Sequence, residues 1–411
     1  MEITRLRLKN WRNFRQLDVP LRDTTYILGP NASGKSNLLD VFRFLRDVSK
    51  TNGGGLQSAV EARGGITKVR CLHARRDPEV LIDVELSVAG QDAAGGRGHD
   101  ASNQGEDSTG PYGQGPDAEA PAWRYILGFK PEGKGAQRLL ISREEVWRGG
   151  KCLFERPDRR DKVDPVLLTQ TRLEQIATNA DFRPLAEFFG SLTYLHLVPQ
   201  LLRYAEQIGG RRLEDDPFGQ GFLERISSTP EKTRNSRLAK ISGALSLAVP
   251  QFDELRFLRD DAGRPHLEAR YKHYRPHAGW QSEVHFSDGT LRLLALLWSF
   301  LEGNSLLLLE EPEISLNDAV VKEIPLIIQR LQRNRKLKRQ IVISTHSEAL
   351  LSNPGIDGRG VILLETGADG SKGRSLLADE SQALQAGLSV AEVVLPKARP
   401  EPKRLEQLAL W

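Results

Sequence analysis

The sequence predicts an α/β fold: a parallel sheet with crossover helices, joined to a mixed β region near the N-terminus and carrying a mostly helical insertion. Three observations support this reading. A strand at 24–28 runs into a glycine-rich loop and then a helix. From residue 284 onward, strand and helix patterns alternate, as they do where helices join parallel strands. Between 161 and 250 the apolar periodicity is mostly helical.

Residues 3–8 and 24–28 read as strands flanking a turn that carries Asn10-Trp11-Arg12-Asn13-Phe14. Leu38, Val41, Phe42, Leu45 and Val48 recur at helical spacing over 36–48. Residues 51–55 are a glycine-rich break, and the branched, alternating run 80–88 is a strand. The stretch 89–122 is rich in Gly, Asp, Ser, Gln and Pro and nearly free of large apolar residues. It cannot bury enough surface to offset its ordering entropy, so it reads as a disordered loop decorating a β-hairpin. Strands resume at 123–129 and continue to 154, with Gly149-Gly150 as a hairpin turn. One strand-like run, 192–198, interrupts the helical middle, and 254–259 with 266–273 form a hairpin around Asp261-Ala262-Gly263. There follow a helix at 290–301, a strand at 305–310, a helix at 318–333, a strand at 340–344, a short helix at 347–352 and a strand at 361–365. The expected division is 1–160, 161–250 and 251–411.

With 411 residues, the chain is long enough for a full core without staples. Hydrophobic residues make up 39% and charged residues 27%, as in a folded soluble protein. No apolar run approaches the roughly 18 residues of a membrane helix, and the alternating start Arg5-Leu6-Arg7-Leu8-Lys9 is not a signal peptide. Cys71 and Cys152 are the only cysteines. That excludes a disulfide scaffold or cysteine-rich zinc module and fits a reducing cytosol, so a cytoplasmic protein is expected. The net charge of +4 permits a DNA partner without arguing for one.

Gly29-Pro30-Asn31-Ala32-Ser33-Gly34-Lys35-Ser36 is a phosphate-loop pattern between a strand and a helix, with Asn37 next in that helix. The glycines let backbone N–H groups approach phosphates, and the helix N-terminus adds positive potential. Lys35 supplies a point charge to the β- and γ-phosphates of a nucleotide, and the Ser36 hydroxyl is a Mg2+ ligand. The leucine run 306–309 then delivers Glu310-Glu311-Pro312-Glu313 at the carboxyl edge of a buried strand. Alternation sends Glu310 and Glu311 in different directions, one toward metal and one toward an attacking water. A second strand ends at Thr345-His346-Ser347, where His346 can reach a γ-phosphate or that water; alone, it would read as a surface or capping histidine.

Together these motifs resemble the ABC-type ATPase head of the soluble RecF, SMC and OLD branch, often called AAA family ATPases. The resemblance covers roughly 1–60 and 280–365 and includes Leu8-Lys9-Asn10-Trp11-Arg12-Asn13-Phe14, a region that lies near the adenine in that branch. It implies a P-loop ATPase head that binds ATP and Mg2+ and forms a homodimer through ATP. Phe286-Ser287-Asp288-Gly289-Thr290 sits where the family has the signature motif that completes the partner's site, so Ser287, Asp288 and Gly289 are expected at the nucleotide. Ser287 and Asp288 are equally helix-capping types, and both roles can hold together. The resemblance makes Glu311 the general base, Glu310 the magnesium-side acid and His346 the switch histidine. It also places Asn317 in the dimer-contact loop and leaves Gln57 or the turn Arg63-Gly64-Gly65 as the metal-contacting glutamine position.

Two departures stand out: Glu310 replaces the usual Asp, and the signature lacks paired glycines. The resemblance also implies a separately encoded effector protein and a setting in anti-phage defence or DNA repair. An ATP-gated scaffold or DNA clamp with little hydrolysis is the alternative, and a transporter is disfavoured by the long stretch between phosphate loop and signature. About 65 residues follow His346, too few for the TOPRIM nuclease domain of many OLD proteins. No nuclease is therefore expected, and the lack of a long apolar run leaves no membrane partner expected.

His266, His273, His277 and His285 lie close in sequence, but strand alternation and Pro276 argue against a zinc site. Six basic residues in 330–339 read as a solvated helix end or a phosphate-backbone contact, and Arg203, Arg211 and Arg212 could serve DNA or a partner.

Overall fold

The computed structural model describes residues 1–74, 77–88, 121–133, 138–204, 215–272, 279–333 and 338–398. The chain forms two compact units, Met1–Leu21 with Asp47–Phe188, and Arg22–Arg46 with Phe189–Trp411. The proposed disordered loop at 89–122, apart from its last two residues, lies outside the described residues.

The first unit is built on a six-stranded antiparallel sheet in the order Phe14–Pro20, Glu2–Trp11, Val80–Ser87, Trp123–Pro131, Leu139–Arg148, Lys151–Arg156. The strand Phe14–Pro20 corrects the sequence reading, which had only a turn between 8 and 24. Trp11 pairs with Phe14, and Asn10 and Arg12 take positive φ of 57° and 48°. Both aromatic rings are buried, so the hairpin closes over its own core without the glycine that usually marks such a turn. The hairpin at Gly149-Gly150 matches expectation, with Arg148 opposite Lys151.

This unit does not stop at 160. Glu144, buried in its strand, accepts hydrogen bonds from Tyr125 and from the main-chain N–H groups of Arg172 and Leu173. Burial raises its pKa, and the Arg156 guanidinium 3.5 Å away opposes that rise. Arg156 in turn holds Asp161 at 2.7 Å. Such buried groups keep their partners because an unpaired one costs several kcal/mol. The segment 158–173 is thereby tied to the antiparallel sheet, so the units divide differently from the three expected segments. Gln57 is also committed here: its amide donates to Leu139 O and Thr169 O and accepts from Leu139 N.

The second unit contains a six-stranded sheet in the order Gly370–Ser375, Val361–Gly367, Thr24–Leu28, Ile341–Ser344, Leu307–Glu310, Thr193–Leu195. Five strands are parallel, and Gly370–Ser375 adds an antiparallel edge. The apolar runs Leu306–Leu309 and Ile341–Ile343 are buried, as expected where helices cover both faces. Helix Asp288–Leu301 is buried almost all round, from Thr290 to Phe300. A separate three-stranded sheet carries the expected hairpin, Phe252–Arg259 with Pro265–Tyr271. His266 sits there against Glu283 at 2.8 Å, while His273 and His277 lie outside the described residues. Among the described residues, no cluster of three or more His, Cys, Asp or Glu fits a metal ion, and no helix is long and apolar enough to cross a membrane.

The helix expected at 318–333 is instead two, Asp318–Val321 and Ile324–Arg333. Pro325 explains the break: it has no N–H, and its ring clashes with the carbonyl four residues earlier. The basic run also needs correction at its end. Arg339 is buried, not solvated; it donates to Ser299 O at 2.9 Å, Glu302 O at 2.6 Å and Ser305 O at 2.7 Å. It thus stitches the end of the helix Asp288–Leu301 to the start of the leucine strand, and burial pushes its pKa down to about 10. Arg339→Ala leaves three carbonyls without their donor and is expected to cost about 3 kcal/mol or more. A shift in the denaturant midpoint measures it.

Candidate functional site

All the site residues described below belong to the second unit. The strand Thr24–Leu28 ends at Gly29, and the helix Lys35–Ser49 begins six residues later. Positive φ at Gly29 (156°), Ala32 (63°) and Gly34 (101°) curls the loop between them. A Cβ on Gly29 would meet Ser33 Oγ at 2.5 Å and Leu364 O at 2.7 Å, so only glycine fits. Pro30, Asn31 and Ala32 form the loop's outer part, Ser33 is buried beneath it, and Ser36 and Asn37 open the helix. The Lys35 ammonium lies within the curl, donating to Gly29 O at 2.9 Å and Pro30 O at 3.3 Å. Burial lowers its pKa, against the pull of Glu311, Glu310 and Glu313.

Ser36 Oγ donates to Glu310 Oε1, and Tyr194 donates its hydroxyl to Glu310 Oε2. Tyr194 stands on the neighbouring strand, opposite Leu308, and Arg43 lies 4.3 Å over its ring. Burial, and then the Glu310 carboxylate, raise the Tyr194 pKa. A hydroxyl and a carboxylate side by side are hard oxygen donors, a set that suits Mg2+. The curled loop around a buried ammonium suits a polyphosphate.

Glu311 lies just past the strand end, where its backbone turns left-handed at φ 44°. Glu310 and Glu311 therefore diverge through this turn and not through strand alternation. A non-glycine residue pays roughly 1–2 kcal/mol for such a conformation. The turn is held by Glu311 N donating to Ser344 O at 3.0 Å and by Arg292 donating to the carbonyls of Glu311 and Leu197. It brings Glu311 Oε1 to 3.1 Å from Nδ1 of His346, an exposed ring at the end of the adjacent strand. Glu313 is buried behind them, accepting from Thr345 Oγ1 at 2.6 Å and His346 N at 3.3 Å, and burial raises its pKa.

The candidate signature is a separate cluster. Ser287 caps its helix, accepting from Thr290 N at 3.1 Å. Asp288 is held by Gln200 at 2.9 Å and Arg203 at 2.7 Å. A Cβ on Gly289 would meet Ser315 O at 2.7 Å, which ties the turn to the loop before Asn317. Asn317 caps the next helix, accepting from Ala319 N at 2.9 Å. The structure thus gathers Lys35, Ser36, Glu310, Glu311 and His346, and holds the candidate signature residues in a cluster of their own partners. The sequence reading missed Tyr194, Arg292 and the clamp on Asp288; for Glu313, the fourth residue of Glu-Glu-Pro-Glu was the available signal.

A family model described as "AAA domain, putative AbiEii toxin, Type IV TA system" matches residues 117–352, and one described as "AAA ATPase domain" matches 1–93. The DNA replication and repair protein RecF of Chlamydia caviae is 50% identical over 46 residues, which are 11% of this chain and 12% of that protein's length. The SMC head solved with the C-terminal winged-helix domain of ScpA is similar in fold, with a TM-score of 0.53 and 15% identity over 93% of this chain and all of that one. With the phosphate loop and the acidic strand in these places, the chain belongs to this AAA-domain family, and its fold is similar to that of the SMC head.

Proposed function

We propose that this chain binds ATP with Mg2+, dimerises around two ATP molecules, and hydrolyses them to control a separately encoded effector. The observation that carries the reading is the convergence of Glu310, Glu311 and Glu313 on Lys35, with Ser36 bound to Glu310 and Glu311 bound to His346. Lys35 and the loop from Gly29 to Asn37 would bind the phosphates, and Ser36 and Glu310 would hold Mg2+. The bound ion would supply charge neutralisation at the transferred phosphoryl group. Glu311 takes a proton from the attacking water, and His346 fixes the carboxylate's orientation. Ser287 and Gly289 of a second copy close the site, so neither copy is complete alone.

The SMC head similar to this chain binds a winged-helix domain, which supports a protein partner for this head by fold analogy. Anti-phage defence or DNA repair, in the cytoplasm, is the setting we assign. DNA contact through Arg203 is not part of the reading, since that side chain is engaged by Asp288. Arg211 and Arg212 lie outside the described residues.

A second reading, an ATP-gated scaffold or DNA clamp, draws on one observation. Both oxygens of Glu310, the longer acid in an aspartate's place, already have partners in Ser36 and Tyr194. Slow hydrolysis follows if the metal must displace them.

Mixing two inactive variants tests the composite site. Lys35→Ala and Ser287→Arg should each be inactive alone. Their equimolar mixture should regain about a quarter of wild-type turnover, because half the dimers are mixed and each holds one intact site. A mixture as inactive as its components would sink the head-to-tail arrangement.

A further inference from the structure

We propose that Arg203, with Gln200, is a positioning residue that offsets the charge of Asp288, so that the signature turn can accept the terminal phosphate of ATP held by a second copy. This deepens the composite-site reading and rests on it.

Asp288 is the first residue of the helix Asp288–Leu301, whose N-terminus is expected to meet that phosphate. A helix N-terminus attracts one negative charge well. A carboxylate already there competes with an incoming phosphate for the same N–H groups and repels it. Here both carboxylate oxygens are taken: Oδ1 by Arg203 Nη2 at 2.7 Å and Oδ2 by Gln200 Nε2 at 2.9 Å. The same Arg203 nitrogen donates to Phe286 O, which fixes the main chain just before Ser287.

The Arg203 side chain is only 14% exposed, so water and salt screen the pair less than a surface pair. Among the described residues its Nε is buried without a hydrogen-bond partner, a cost consistent with a guanidinium held here for its charge. Both residues come from the helix Pro199–Arg203, more than eighty positions earlier in the chain. The stretch read as a helical insertion therefore acts directly on the signature.

The test uses Glu311→Gln chains, with Mg-ATP-dependent dimerisation read by sedimentation. Adding Arg203→Ala should weaken dimerisation about tenfold or more. Adding Asp288→Asn as well should restore it to within about threefold of the parent, because the charge that Arg203 offsets is gone. Arg203→Gln, which keeps a polar side chain but no charge, should behave like Arg203→Ala and be rescued in the same way. The proposal is overturned if the Arg203 variants dimerise normally, or if their loss persists with Asp288→Asn; the latter would make Arg203 a support for the main chain only. A Glu311→Gln parent that binds Mg-ATP and stays monomeric overturns the composite-site reading itself, before any Arg203 variant enters.

Discussion

Replacing Lys35 with alanine is expected to weaken ATP binding by at least about 100-fold, the loss of a charge-assisted contact to phosphate in a partly desolvated site. The structure adds a second expectation. The buried ammonium donates to the main-chain carbonyls of Gly29 and Pro30. Burial lowers its pKa, so holding the charge there costs stability. The Lys35→Ala chain should then melt at or above the wild-type temperature without nucleotide, yet gain nothing from Mg-ATP. Wild-type protein should gain stability as ATP rises, by the mass action of a ligand that binds the folded state. A melting series with and without Mg-ATP reads both effects. A Lys35→Ala protein that ATP stabilises like the wild type would refute the assignment of the loop.

Glu311→Gln should cut turnover by about 100- to 10,000-fold while ATP binding persists. An amide keeps the side chain's shape and a hydrogen-bonding group beside His346 Nδ1, but it cannot take the proton of water. The left-handed backbone at this position is held by Ser344 and Arg292 and not by the carboxylate, so the substitution should leave the turn in place. Single-turnover hydrolysis alongside a binding titration separates the two steps. Loss of binding equal to the loss of turnover would mean that Glu311 supports the fold of the site instead of its chemistry.

What the sequence made legible was local. The phosphate loop declares itself because strand, glycine turn and helix are contiguous, and only glycine tolerates the approach of Ser33 and Leu364 to Gly29. The leucine strand and the histidine strand were readable for the same reason, since each functional residue ends its own apolar run.

The unread parts depend on pairings distant in the chain. Tyr194 reaches Glu310 because the short strand Thr193–Leu195 pairs with Leu307–Glu310, and nothing near residue 194 encodes that register. Arg203 meets Asp288, and Arg339 meets Ser299, Glu302 and Ser305, by the same kind of tertiary closure. The strand Phe14–Pro20 was hidden because its turn uses Asn10 and Arg12 at positive φ, without a glycine to announce it. Pro325 was visible, but the apolar periodicity on either side of it suggested one helix; the ring clash with the preceding turn prevailed.

The measurement that bears most directly on the composite-site account is the mass in solution of Glu311→Gln, with and without Mg-ATP. A monomer alone and a dimer with Mg-ATP are expected, since the trapped nucleotide holds one copy's signature against the other's phosphate loop. A protein that binds Mg-ATP to saturation and remains a monomer would contradict it.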